Sequence, residues 1–165
     1  MIFRTLALAL AFVVWSPVLS AWPDVVILVR HAEKEAEPKD NPPLTTTGRE
    51  RAAELAKVVE ALTVRTPVRA IFTTDYTRTR ETAAPLAAAL RVTPTVTNED
   101  PMARVRELQG GTVVMVGHSN TLPGLIQALG GGAGQTIGDA EFDHVYVIAA
   151  PGTSQAKLAS LRYGK

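Results

Sequence analysis

Three short clusters in this chain hold residues that could do chemistry together. Arg30-His31 closes the apolar run Val25-Val26-Ile27-Leu28-Val29. Thr73-Thr74-Asp75 closes a second run, Val68 to Phe72, with Arg78 just beyond. Gly117-His118-Ser119-Asn120 closes a third, Thr112 to Val116. The chain has only three histidines, and two of them lie in these clusters. A neutral imidazole can attack an electrophilic centre such as phosphorus and carry the group covalently. A guanidinium matches a phosphate with two parallel N–H donors, and a second, protonated imidazole supplies further charge. Fixed positive groups of this kind stabilise a transferring phosphoryl group without demanding a metal or other cofactor. No cluster is informative alone, since an arginine at a strand end is ordinarily solvated or ion-paired. Their joint occurrence at three strand ends is what points to phosphate chemistry, with His31 as nucleophile and Arg30, Arg78 and His118 around it. The third histidine, His144, opens a strand and is read as structural.

The elements that position these clusters can be read from the pattern. The unbroken apolar runs at 25–29, 68–72 and 112–116 predict buried strands, the first β-branched at four of five positions. Thr47 and Glu50 have capping-box spacing, and Ala52, Leu55, Ala56, Val59 and Leu62 recur at helical spacing, so a helix is expected over 48–63. An alanine-rich helix is expected over 77–90, kinked or split at Pro85. A short strand over 92–96 is weakened by Pro94, and a modest helix is expected at 101–108. Thr121 is placed to cap a helix reaching Leu129, with Pro123 in its first turn. Two strands, 144–149 and 155–162, close the chain as an antiparallel hairpin. The stretch 32–43 reads as a loop, either a lid or a solvated connection. Strands alternating with helices predict an α/β domain, with a mostly parallel sheet, helices on both faces and an antiparallel C-terminal edge. In such sheets ligands bind beyond the carboxyl ends of the strands, so the three clusters are expected on one rim.

Composition narrows the function further. Residues 1–21 have the order of a secretory signal peptide: Arg4, an apolar run from Leu6 to Trp15, Pro17, then small residues at Ser20 and Ala21. A secreted or periplasmic location is therefore expected, with an uncleaved membrane anchor as the alternative reading of the same segment. Residues 22–165 form one domain of 144 residues, with 16 basic and 16 acidic side chains. A net charge of zero argues against a nucleic-acid surface. The chain has no cysteine, which excludes thiolate catalysis, disulfides and cysteine-zinc sites. No His-x-His or His-Glu-x-x-His spacing is present, which disfavours a metal-dependent hydrolase.

Leu28-Val29-Arg30-His31-Ala32-Glu33-Lys34 resembles the signature of the histidine phosphatase superfamily, also called phosphoglycerate mutase-like. The similarity continues at Leu44-Thr45 with Gly48, at Thr73-Thr74-Asp75-Tyr76-Thr77-Arg78-Thr79-Arg80-Glu81-Thr82-Ala83, and at Val116-Gly117-His118-Ser119-Asn120-Thr121. Four motifs in the family's order span most of residues 25–130. The resemblance implies a three-layer phosphoglycerate mutase-like fold and a phosphohistidine on His31, with Arg30, Arg78 and His118 completing the phosphate pocket. It implies less directly that Asn120 orients His118 or meets substrate, and that Lys34 reaches substrate.

Departures from the pattern carry information. Tyr76 and Thr79 stand where the family usually has leucine and alanine. Serine, not aspartate, follows His118, which places the chain nearer the small phosphatases and mutases than the acid phosphatases. The proton donor must then lie elsewhere: Glu99 or Asp100 by chain order, with Glu141 and Asp143 as other choices, or no dedicated donor at all, as the resemblance to some small members implies. The expected activity is metal-independent hydrolysis of a small phosphomonoester, without a cofactor. A phosphoglycerate mutase-type phosphotransferase is a second reading, disfavoured by the short chain. A non-catalytic phosphate-binding pseudoenzyme is a third, disfavoured because binding alone needs no nucleophile. Substrate identity and oligomeric state are not legible.

Overall fold

The structure, a computed structural model, describes residues 22–97 and 100–164. The expected signal segment, 1–21, and Glu99 lie outside the described residues. Six strands form one sheet: β1 (Val25–Arg30), β2 (Val68–Thr73), β3 (Thr95–Val96), β4 (Thr112–Gly117), β5 (His144–Ala149) and β6 (Lys157–Arg162), in the order β3-β2-β4-β1-β5-β6. β1, β2, β3 and β4 run parallel, while β5 pairs antiparallel with β1 and β6 with β5. This is the mostly parallel α/β sheet with a C-terminal hairpin that the sequence predicts. Register places Arg30 opposite Gly117 and Thr73 opposite Val116, so the three clusters do end on one rim.

The strands are apolar on both faces because both are covered. On β1, Val26 and Leu28 join one core with Val113, Met115, Met102, Val105, Leu122 and Ile126, under α3 (Pro101–Arg106) and α4 (Leu122–Ala128). Ile27 and Val29 join the other with Leu55, Val59, Ala83, Leu86 and Val114, under α1 (Thr46–Leu62) and α2 (Thr77–Leu90).

Local details correct several expectations. The N-cap of α1 is Thr45, not Thr47: its Oγ1 accepts from Gly48 N at 2.9 Å. Gly48 is required there because a Cβ would run into the Glu33 carbonyl. The leucine-threonine-x-x-glycine motif is therefore a cap plus a close approach, which fastens α1 to the segment after His31. Pro85 does not split α2, which runs through it as one helix. The third strand is reduced to Thr95–Val96, after Pro94. The 32–43 loop is tied down at its neck by a Lys34–Leu44 bridge and by Glu35 N donating to Pro43 O at 2.8 Å. Two further bonds join it to α2: Thr77 N to Asn41 Oδ1 at 2.7 Å and Leu44 N to Glu81 Oε2 at 2.7 Å.

Candidate active site

His31 is 4% exposed and fixed on every side. Its backbone N–H donates to Gly117 O at 2.9 Å, extending the pairing of β1 with β4 by one residue. The next amide, Ala32 N, donates to Thr82 Oγ1 at 2.9 Å. The ring Nδ1 lies 2.8 Å from Ala32 O. A carbonyl only accepts, so Nδ1 carries the hydrogen and Nε2 keeps its lone pair. Burial holds the imidazole down to about 4, against the smaller opposing pull of the Ala32 carbonyl, with His118, Arg78 and Arg30 lowering it further. At neutral pH the ring is an uncharged nucleophile.

Arg30 shares the face of Val26 and Leu28 by strand parity. Its Nη1 donates to Gly138 O, Asp139 O and Glu141 O at 2.7, 3.0 and 3.1 Å, which pins the 138–141 loop to the strand end. The guanidinium carbon sits 4.1 Å from the centre of the Phe142 ring, which is 6.0 Å from His31. Arg78, from the first turn of α2, stacks over Tyr76 at 4.0 Å. Desolvation by burial lowers the pKa of both arginines, yet each remains a cation at any ordinary pH. The Nε–H groups of Arg30 and Arg78 are both buried with no partner among the described residues. Buried donors are ordinarily paired, so two spare guanidinium donors beside a free imidazole nitrogen point to an anion as their acceptor.

His118 follows β4, its ring 5.3 Å from His31 and 5.3 Å from Tyr76. Four rings, Phe142, His31, His118 and Tyr76, thus stand in sequence, with an arginine stacked on each outer one. His118 Nε2 meets Thr74 Oγ1 at 3.0 Å. Burial, then Arg78 and Arg30, hold its pKa down to about 4. His118 and Arg78 line an open depression of about 630 Å³ together with Thr74, Tyr76, Asn41 and Asn120.

The His31 ring meets His118 and Phe142, Arg30 stacks on Phe142, and Arg78 and His118 line the depression with Asn120, while His31 and Arg30 lie outside its lining. Lys34 is exposed on the bridge at the loop neck and does not line this depression. Asp100 caps α3, accepting from Met102 N and Ala103 N at 3.0 and 3.1 Å. Glu141 binds Gly138 N through Oε2, and Asp143 pairs with Arg162 at 3.0 Å, so both carboxylates serve the loop and hairpin. Among the described residues no group of three or more histidine, cysteine or acidic side chains could hold a metal ion. The sequence reading missed Phe142, Thr74 and Thr82 as site residues. Thr82 and Thr74 had a signal, being polar positions inside the recognised motif, whereas Phe142 had none. It arrives from a loop of no regular pattern.

Residues 26–100 match the family model of the histidine phosphatase superfamily (branch 1). No curated protein matches the chain. Among solved structures, a candidate phosphohistidine phosphatase, SixA, from Agrobacterium tumefaciens is 19% identical, with 84% of this chain and 97% of that one covered, at a TM-score of 0.63. The protein histidine phosphatase SixA complexed with tungstate is 13% identical over 84% and 96%, at 0.67. The alpha-ribazole phosphatase from Shigella flexneri is 13% identical over 84% and 96%, at 0.58. At these identities the likeness is one of fold, and the fold is that of phosphoglycerate mutase-like phosphatases.

Proposed function

We propose that this chain works as a branch-1 histidine phosphatase: a metal-independent phosphomonoester hydrolase with His31 as its nucleophile. The observation that carries the reading is the fixed tautomer of His31. Nδ1 is spent on Ala32 O, leaving the Nε2 lone pair beside two guanidiniums with unspent donors. In the first half-reaction Nε2 forms a bond to phosphorus while the ester P–O bond breaks, and the leaving oxygen takes up a proton. In the second, water attacks phosphorus, the P–N bond breaks, and inorganic phosphate and neutral imidazole are restored. Arg30, Arg78 and His118 hold the phosphoryl oxygens through both steps. Structures of this fold are named as a protein histidine phosphatase and as an alpha-ribazole phosphatase, so the fold alone does not choose the substrate.

The phosphatase reading is preferred to a mutase because the wall segments, 32–43 and 130–143, are short and bound to the body at their necks. It is preferred to a pseudoenzyme because all four pocket residues are present and converge. For residues 1–21 we infer an export signal, which N-terminal sequencing of the protein from periplasmic extract would test. The function is tested by assaying a panel of phosphomonoesters with wild type and His31→Ala. Release of phosphate from at least one class, lost in the variant, is expected. Turnover that survives in His31→Ala would overturn the assignment.

A further inference from the structure

Thr79 stands where the histidine phosphatase motif usually has alanine, and it is fully buried. Its Oγ1 lies 2.8 Å from Tyr76 O and 3.0 Å from Thr74 O. The same oxygen lies 2.9 Å from Thr74 Oγ1, which in turn lies 3.0 Å from His118 Nε2. Each hydroxyl has one proton, and the carbonyls only accept. Thr79 therefore gives its proton to a carbonyl and accepts the proton of Thr74. The Thr74 oxygen is left with lone pairs towards His118, so Nε2 must carry a hydrogen. With Thr74 donating to Nε2 instead, one close contact is left without a proton: the two hydroxyl oxygens 2.9 Å apart if Thr79 donates to a carbonyl, or both carbonyls if Thr79 donates to Thr74.

We propose that Thr79, acting through Thr74, is a positioning residue that holds His118 with its hydrogen on Nε2, so that the ring can take a second proton on Nδ1 when an anion enters the site. With a hydrogen on both nitrogens, Nε2 donates to Thr74 and Nδ1 donates to the anion, and every polar atom of the charged ring is satisfied. An alanine at 79 would free the Thr74 hydroxyl to turn its proton onto Nε2, and the ring could then gain a charge only by breaking that bond. The charged and titratable groups around the ring are Arg30, Arg78, His31 and Tyr76, with Asp75 across the depression. The cations oppose the second proton in the free protein, and a bound dianion offsets them.

The kinetic consequence rests on the phosphatase reading, but the tautomer does not, so the two can fail separately. The test uses the full chain labelled with ¹⁵N-histidine, with His118 assigned by comparison with His118→Gln. Long-range ¹H–¹⁵N spectra read which ring nitrogen carries the hydrogen at neutral pH. Wild type is expected as the Nε2–H form and Thr79→Val as the Nδ1–H form, with Thr79→Ser restoring the wild-type pattern. The affinity for inorganic phosphate, followed by titration, should fall about tenfold in Thr79→Val and recover in Thr79→Ser, as expected for losing one charge-assisted hydrogen bond. A wild-type His118 in the Nδ1–H form overturns the proposal without any variant. So does a folded Thr79→Val that keeps both the Nε2–H form and wild-type phosphate affinity.

Discussion

Lowering the pH from 7 to 5 should destabilise this protein through His31, the proposed nucleophile. In the unfolded chain a histidine takes its proton near pH 6.5, whereas folded His31 resists it until about 4. Between those values the unfolded state binds more protons, so stability falls as pH falls. At pH 5 the unfolded imidazole is almost wholly charged and the folded one about a tenth charged, which makes the loss from His31 alone about 2 kcal/mol. His118, more exposed, adds to it with the same sign. Glu33 is the other shifted carboxyl nearby. Burial pushes it up, but the hydrogen bonds and charge of Arg51 and a backbone hydrogen bond together outweigh that, and it ends below its ordinary value, so it acts only at more acid pH. Urea unfolding at pH 7, 6 and 5 reads the effect. With a slope of about 1–3 kcal/mol per molar, the wild-type midpoint should drop by roughly 1 M between pH 7 and 5. His31→Gln cannot titrate at that position, and its midpoint should move less, with His118 left to supply the remaining shift. An equal pH slope in wild type and His31→Gln would show that His31 is not held neutral by the fold, and the account of its reactivity would fail with it.

The remaining predictions follow from single contacts. Gly48→Ala should lower stability by about 1–3 kcal/mol in thermal unfolding, because the added Cβ meets the Glu33 carbonyl backbone rather than a movable side chain. Arg78→Lys keeps the charge but loses the planar fork stacked on Tyr76, and kcat/KM should fall about tenfold or more in steady-state assays. Phe142→Ala removes the ring under Arg30 and should weaken phosphate binding by about 0.5–2 kcal/mol, measured by calorimetry, while far-ultraviolet circular dichroism stays unchanged.

The fold and the site were legible to different degrees. Buried parallel strands announce themselves as apolar runs, and β1, β2 and β4 ended within a residue or so of where the pattern puts them. The two short elements were overestimated: Pro94 leaves β3 only two residues, and α3 stops at Arg106. Cap identity was misread because two threonines, Thr45 and Thr47, offer the same chemistry. The Glu33 carbonyl, which accepts from Thr45 N and lies against Gly48, favours Thr45, and that contact comes from the segment after His31. The proposed pocket set of Arg30, His31, Arg78 and His118 stood out in the sequence because each member sits at a strand end or helix start. What could not be read is the second layer. Arg30 is committed to three carbonyls of the 138–141 loop, and Phe142 packs beneath it, through chance meetings of segments more than a hundred residues apart. The expected role of Asp100 shows the limit from the other side: chain order suggested a proton donor, and local geometry made it a helix cap.

The central claim is that phosphate passes through His31 Nε2. Wild-type protein is mixed with a ³²P-labelled phosphomonoester that it turns over, quenched within the first turnovers, and analysed for bound label. The account predicts label that is lost in acid, survives base, maps to the peptide holding His31 and is absent from His31→Ala. Turnover with no such label, or the same label on His31→Ala, would contradict it.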